Sequence, residues 1–499
     1  MKDLKSEILT RRGDEIGEID KDAPESVALL YPSPYHVGMS SLGYQTMYRS
    51  INAVDGRAAH RAFLPDDVDA WRRSRAPLVT YEKLRPVSDY PILAFSVAYE
   101  TELAGLIEVL ELAGIPPLAE ERGSRYPFIL AGGPLTFSNP LPLAPFVDAV
   151  IMGEADESVH AVLSTIFASE TRDGALRELS GHPHVFVPSL EDDLLPPIDK
   201  ASHEHLPAFS QVITPHTELR NMFLIEPERG CHRGCSYCVM RRSTNDGMRI
   251  VKKERVLSLV PEHAERVGLV GAATTDHPQI VDIVNALADS GREVGLSSLR
   301  ADRLTDELVA ALRRGGHRIL TTASDGTSQR MREVIQRRTS ETQLRNAAKL
   351  ARKHGMKRLK LYVMVGLPSE TDDDIDELIS FGEELSSIIP VSLGVAPFVA
   401  KRNTPLDGTP FAGMPLVEAR LKRLRRGVRG RVDVRATSAR WAWIEYVLAQ
   451  GGRAEGRAVL DAVHAGGRFA DWKRAFDALP QDRPRRLLVR PGDRLGRAS

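Results

Sequence analysis

Residues 228–238 read Glu228-Arg229-Gly230-Cys231-His232-Arg233-Gly234-Cys235-Ser236-Tyr237-Cys238, and these three cysteines are the only ones in the 499-residue chain. An odd number packed this tightly cannot form a disulfide framework. Buried cysteines of a reduced protein would be scattered rather than clustered. A metal or metal cluster is therefore the favoured occupant. Three thiolates can wrap one cluster if the loop curls, and Gly230 and Gly234 let it curl. Iron–sulfur cubanes normally take four cysteine ligands, so three would leave one iron open to a non-protein ligand. On spacing alone a zinc site of the Cys₃His type stays open, with His232 or a distant histidine as the fourth ligand.

Outward from this loop the chain alternates strand-like and helix-like stretches. Strands are predicted over 222–225, 267–271, 293–299, 318–323, 357–365 and 391–399. Between the second and third, Ile280, Ile283, Val284 and Leu287 form an i, i+3, i+4, i+7 helical stripe. Ser340-Glu341-Thr342-Gln343 is a capping-box pattern. Repeated units of this kind favour parallel pairing in a full or partial β/α barrel, whose chemistry sits where strands run into loops. The cysteines follow the first predicted strand, Gly271-Ala272-Ala273 the second, Arg300 the third, Asp325 the fourth and Gly366-Leu367-Pro368 the fifth. All fall on one predicted face.

Upstream, strands are predicted over 27–31, 92–97, 126–130 and 147–152, with helices over 38–51 and 100–112. Small or glycine-rich turns end the later strands, as in a doubly wound, Rossmann-like sheet with its ligand crevice at the strand carboxyl ends. Residues 190–211 mix prolines, acids and histidines and read as a linker. Three domains are expected: 1–200, 212–415 and a small, mainly helical extension over 416–499. Hydrophobic content of 42% and charged content of 27% describe a globular chain. Basic and acidic residues both total 67, so no global field points to nucleic acid or membrane. The first residues lack the apolar core of a signal peptide, and no stretch is long and apolar enough to span a bilayer. A cytoplasmic location with no membrane partner is expected.

The C-x-x-x-C-x-x-C motif, set after a first strand inside a repeated β/α unit, resembles the radical S-adenosylmethionine (SAM) superfamily over roughly 222–405. The resemblance implies a 4Fe-4S cluster on Cys231, Cys235 and Cys238, with SAM chelating the open iron. It also implies one-electron cleavage of SAM to a 5′-deoxyadenosyl radical, fed by an external flavodoxin- or ferredoxin-type donor. Tyr237 matches the family's aromatic residue before the last cysteine, beside the adenine. Gly271, Ala272 and Ala273 stand in the turn that receives the SAM amino group, but lack its usual acid. Ser298 and Arg300 match a polar strand end facing the ribose and carboxylate. Asp325 stands where relatives more often carry glutamate, and Gly366 matches the turn packed against adenine. A structural turn or cap is the plain alternative for each.

The first domain resembles the cobalamin-binding domain that precedes many radical SAM cores. The phrases that carry this are Phe95-Ser96-Val97, Ala131-Gly132-Gly133-Pro134 and Val147–Glu154 with Gly153 at its turn. Ser96, Gly132, Gly133 and Gly153 are thus expected near the corrin. The D-x-H-x-x-G motif that ligates cobalt in some relatives is absent, and His36 reads as an ordinary loop histidine. Methyl transfer to an unactivated centre through cobalamin is the expected reaction. The alternatives are a cobalamin-independent ring contraction, cyclisation or oxidation, an RNA modification, or a non-catalytic iron–sulfur or zinc protein. Arg420, Lys422, Arg423, Arg425, Arg426, Arg429 and Arg431, then Arg483, Arg485, Arg486 and Arg490, make the tail basic. A solvated helix face explains such runs more simply than RNA. The expected substrate is a small molecule or peptide.

Overall fold

The computed structural model describes residues 2–240, 247–297 and 299–480. Ser298 and the arginines at 483, 485, 486 and 490 lie outside the described residues. Two compact units are present: residues 2–221 with 447–480, and residues 222–446.

The first unit is built on a six-stranded sheet. Its strands are β1 (Glu25–Tyr31), β2 (Arg57–Phe63), β3 (Ile92–Ser96), β4 (Phe128–Gly132), β5 (Ala149–Ile151) and β6 (Val185–Phe186). The order is β2-β1-β3-β4-β5-β6, parallel except for β6. Strand residues alternate between two buried faces, which is why the strands read as near-continuous apolar runs. Val27, Leu29 and Tyr31 face a core shared with helices Leu42–Asn52, Ser158–Ala168 and Arg172–Ser180.

Strand β2 is the exception to that pattern and has no apolar signature. It reads RAAHRAF, yet every residue is buried. Arg61 lies fully inside, paired with Glu15 at 2.7 Å and Glu82 at 2.5 Å. Tyr48 stacks beneath its guanidinium at 4.8 Å. Burying a cation is tolerable only with such partners.

The tail divides differently from the expected 416–499 extension. Helix Met414–Gly427 and a further strand belong to the second unit, whereas helices Arg453–His464 and Phe469–Asp477 belong to the first. There Arg457 pairs with Glu120 at 2.6 Å and His464 with Glu111 at 2.5 Å. Gly456 is required: a Cβ would meet the Pro142 carbonyl at 2.2 Å.

The second unit carries β7 (Met222–Ile225), β8 (Glu228–Gly230), β9 (Met248–Ile250), β10 (Arg266–Leu269) and β11 (Glu293–Leu296). Then follow β12 (Ile319–Asp325), β13 (Arg358–Val365), β14 (Val391–Pro397) and β15 (Val432–Ala436). Strands β11-β10-β7 form one parallel sheet and β12-β13-β14-β15 another. A parallel bridge between Leu299 and Thr322 joins them, so the arrangement is a partial β/α barrel. The basic run after 416 is answered by the helix Asp372–Ile388 and the turn before it. Arg420 pairs with Glu370 at 2.8 Å, Arg423 with Asp376, and Arg431 with Glu383 at 3.0 Å.

Candidate functional site

The cysteine loop does not leave β7 directly, as the sequence suggested. A two-stranded antiparallel ribbon, β8 with β9, ties its base. Gly230, at φ +108°, turns the chain from the ribbon into the loop. Gly234 has no such requirement, and its nearest contact for a Cβ is Gln336 Oε1 at 3.8 Å.

Several strand ends then hold the loop. Ser236 N donates to the Ile335 carbonyl beyond β12 at 3.0 Å, and Leu406 N beyond β14 donates to the Ser236 carbonyl at 3.3 Å. Arg233 binds Asp276, in the turn after β10, through both Nε (3.1 Å) and Nη2 (2.8 Å). Asp276 also faces Arg303 at 2.8 Å and Arg300 at 3.7 Å, while Arg300 reaches Asp302 at 3.0 Å. Asp276 is held below the usual carboxylate range: burial pushes it up, but Arg233, Arg303 and Arg300 more than offset this. One aspartate thus ties the loop to the ends of β10 and β11.

Donors surround the thiols. Arg233 N donates to Cys231 Sγ at 3.4 Å, and Arg337 Nη1 approaches Cys235 Sγ at 3.9 Å. Arg337 Nε lies 2.8 Å from Asp325 Oδ2, which also accepts from the Tyr237 hydroxyl at 2.6 Å. Tyr237 and Asp325 are therefore brought together, linked through Arg337 to a cysteine. Asp325 sits at φ +60° on a β12 irregularity, a conformation that aims its carboxylate across the strand ends.

Burial, and then the Cys235 sulfur, push the Cys231 thiol up. Cys238 is pushed up to about 11 by burial together with Cys235 and Cys231, against one backbone N–H. Thiols that raise one another's pKa resist ionising together unless a metal centre supplies positive charge. That donor set, with guanidinium and N–H groups aimed at sulfur, fits an iron–sulfur cluster. Among the described residues, no group of three or more His, Cys, Asp or Glu side chains converges on a single ion.

Other expected residues are placed as follows. Gly271 lies against Glu228, whose Oε1 would meet an added Cβ at 2.1 Å; Ala273 N donates to that oxygen at 2.9 Å. Ala272 is exposed beside them. Gly366, at φ +81°, donates its N–H to Glu370 at 2.7 Å and packs toward Ala412 and Val417. Tyr237, Met364, Leu367, Phe398, Ala400, Leu406 and Tyr446 share an apolar cluster beside the loop. Sequence reasoning missed Glu228, Arg233 and Asp276, although all lie within or next to the motifs it quoted. Arg337 carried no signal.

In the first unit, Ser96 ends β3 and Gly132 ends β4. A Cβ on Gly132 would meet nothing nearer than 3.7 Å. Gly133, at φ +104°, is confined by the Val97 backbone at 2.7 Å, and Gly153, at φ +94°, by the Asp199 backbone at 2.5 Å. The chain itself demands those two glycines. His36 lies 3.7 Å from Asp66 and about half exposed.

A thiol-lined loop at the carboxyl ends of a partial barrel, gripped by basic side chains, is the candidate site of the second unit. Residues 225–382 match the radical SAM superfamily, and residues 43–188 match the N-terminal domain of radical SAM proteins. The chain belongs to the radical SAM superfamily and is an enzyme of that class. It is 28% identical over 396 residues to an uncharacterized protein of Methanocaldococcus jannaschii, covering 78% of this chain and 80% of that one. It is 22% identical over 281 residues to an uncharacterized methyltransferase of Pyrococcus horikoshii, covering 52% and 58%. Among solved structures it is similar to the cobalamin-dependent SAM radical enzyme OxsB, with 13% identity and a TM-score of 0.48. That match covers 82% of this chain and spans 58% of OxsB. No helix among the described residues is long and apolar enough to cross a membrane.

Proposed function

We propose that this radical SAM enzyme holds a 4Fe-4S cluster on Cys231, Cys235 and Cys238, binds SAM beside it, and uses cobalamin to methylate an unactivated centre of its substrate. The observation that carries the cobalamin reading is the parallel order β2-β1-β3-β4-β5 in the first unit. In doubly wound sheets of this order the ligand crevice opens at the β1/β3 switch point, where Ser96 and its loop lie. The likeness to a Pyrococcus methyltransferase supports the reaction class. When bound, these groups supply one-electron chemistry that reaches unreactive C–H bonds and a transferable methyl group.

The protein's own part is positioning. Arg233 and Asp276 fix the cysteine loop to the strand ends, Arg337 aims a positive charge at Cys235, and Tyr237 is locked by Asp325. Tyr237, Phe398, Leu406 and Tyr446 give the loop an apolar flank that excludes water.

The test is anaerobic reconstitution followed by hydroxocobalamin uptake and a SAM-cleavage assay. One corrin per chain, with 5′-deoxyadenosine released on reduction, supports the reading. A protein that cleaves SAM but takes up no corrin is a cobalamin-independent radical enzyme. The chain-filled surroundings of Gly133 and Gly153 favour that second reading.

A further inference from the structure

Strand β13 has two unlike faces. Leu359, Leu361, Val363 and Val365 are buried toward the helices, whereas Lys360, Tyr362 and Met364 point to the concave side of the partial barrel. A closed barrel fills that side with layers of branched apolar side chains. Here a tyrosine on an inner strand of the sheet is 40% exposed. Its register partners are Ala323 on β12 and Gly394 on β14, and the partner of Gly394 on β15 is Arg435. A Cβ at Gly394 would meet the Tyr362 ring at 2.9 Å, so the ring leans across β14 at that glycine. The floor of the barrel is polar and open instead of packed.

The charges on this floor do not balance. Arg358 and Arg435 share one carboxylate, Asp433, at 3.1 Å each. Lys360 has no carboxylate partner among the described residues. Its Nζ donates to the Tyr362 hydroxyl at 2.9 Å and stands 4.6 Å from that ring's centroid. Thr321 and Ser392, which flank Lys360 in register, carry no charge. The phenol occupies one of the three ammonium donors and leaves the others free for a ligand. Arg435 is 76% exposed along its side chain, so Asp433 does not seal its guanidinium. Lys360 and Arg435 stand two strands apart, about 10 Å between backbones, and both side chains are long enough to converge on one ligand.

We propose that the substrate is a small molecule bearing an oxyanion, carboxylate or phosphate, seated between Lys360 and Arg435, with its reacting end directed along β13 toward the cysteine loop. This rests on the radical chemistry taking place at that loop. The direction follows from Met364, which lies one step beyond Tyr362 on the same face and packs in the cluster that includes Tyr237. From Lys360 to Met364 is about 13 Å of strand. Lys360 supplies a compact charge and Arg435 a planar fork, and the Tyr362 hydroxyl, which accepts from Lys360, has its own proton to donate to the same oxyanion. Surplus positive charge in a concave site concentrates anions and disfavours cationic substrates.

The experiment reads the labelling rate of Lys360 by an amine-reactive succinimidyl ester, followed by peptide mass spectrometry, in anaerobically reconstituted full-length protein with SAM present. The probes are inorganic phosphate and succinate, against chloride at equal ionic strength. At about 10 mM, one or both should slow Lys360 labelling about threefold or more, the protection expected of a millimolar site. Labelling of the exposed Lys349 should not change. Stronger protection by phosphate identifies a phosphate-bearing substrate, and stronger protection by succinate a carboxylic acid. Arg435→Gln should bring protection back to the chloride level. Protection by neither anion, protection undiminished in Arg435→Gln, or a Lys360 that is inert in chloride would each overturn the proposal. SAM cleavage is assayed in the same preparation. Cleavage without protection overturns the anionic substrate alone, whereas protection without cleavage supports the anion site and overturns the radical reading.

Discussion

Cys235 is the most enclosed of the three thiols, and a guanidinium is its neighbour rather than an apolar wall. Replacing Cys231, Cys235 or Cys238 by Ala should each abolish a cluster of about four irons, measured as iron and sulfide content. Arg337→Gln keeps the size but removes the positive charge facing Cys235. It should move the cluster's reduction potential to more negative values, followed by spectroscopic redox titration. An unchanged potential would reduce Arg337 to an anchor for Asp325. Glu228 makes a pH prediction. Its folded pKa, raised by burial to about 8, lies above the unfolded value, so the folded state binds the extra proton between the two. Stability from this group is full below about pH 4.5 and is lost as pH rises to 8, by at most about 1.4 kcal/mol per pH unit. Glu228→Gln should remove that slope, so its melting temperature should gain on wild type between pH 5 and 8.

At the scale of elements, two adjacent glycines at the end of β4 separate a requirement of the fold from space for a ligand. Gly133 combines φ +104° with the Val97 backbone at 2.7 Å, so Gly133→Ala should cost about 1–3 kcal/mol or more. Gly132→Ala meets only ordinary contacts and should change stability by less than about 0.5 kcal/mol. Thermal melts of the two variants check this, and bulkier residues at 132 are the cleaner probe of corrin uptake. Strand β2 supplies another case. Arg61→Leu leaves Glu15 and Glu82 buried without their cation and should cost about 3–5 kcal/mol in denaturant unfolding.

At the scale of the whole molecule, the prediction concerns the full chain, because helices from beyond residue 447 complete the first unit. Intact protein should take up hydroxocobalamin at one per chain, with a spectrum unchanged in His36→Ala, whose imidazole faces Asp66. A shifted spectrum would make His36 a cobalt ligand. Removing residues 447–499 should lower the first unit's stability, since Asn139 Nδ2 donates to the carbonyls of Leu448, Ala449 and Gly451. Proteolysis of the truncated chain would reveal it.

The sequence by itself determined the class of enzyme and most of the two parallel sheets. Strands buried on both faces announce themselves as apolar runs, and cysteine spacing needs no tertiary context to declare a metal site. It also brought Tyr237 and Asp325 forward as site residues, though not their mutual hydrogen bond. What only the tertiary structure decided involves charge and close approach. β2 was invisible because its buried Arg57, His60 and Arg61 look like surface residues until Glu25, Tyr90, Glu15 and Glu82 arrive from elsewhere in the chain. β15 and the ribbon β8–β9 are short and polar, and form only against their partners. Gly133 and Gly153 read as room for a ligand, whereas the fold brings the backbone of Val97 and Asp199 into that room. Glu228, Asp276 and Arg337 became site residues for the same reason. Their partners lie 12 to 102 positions away at the contacts that define them, and pairwise electrostatics over such separations exists only after the strand ends converge.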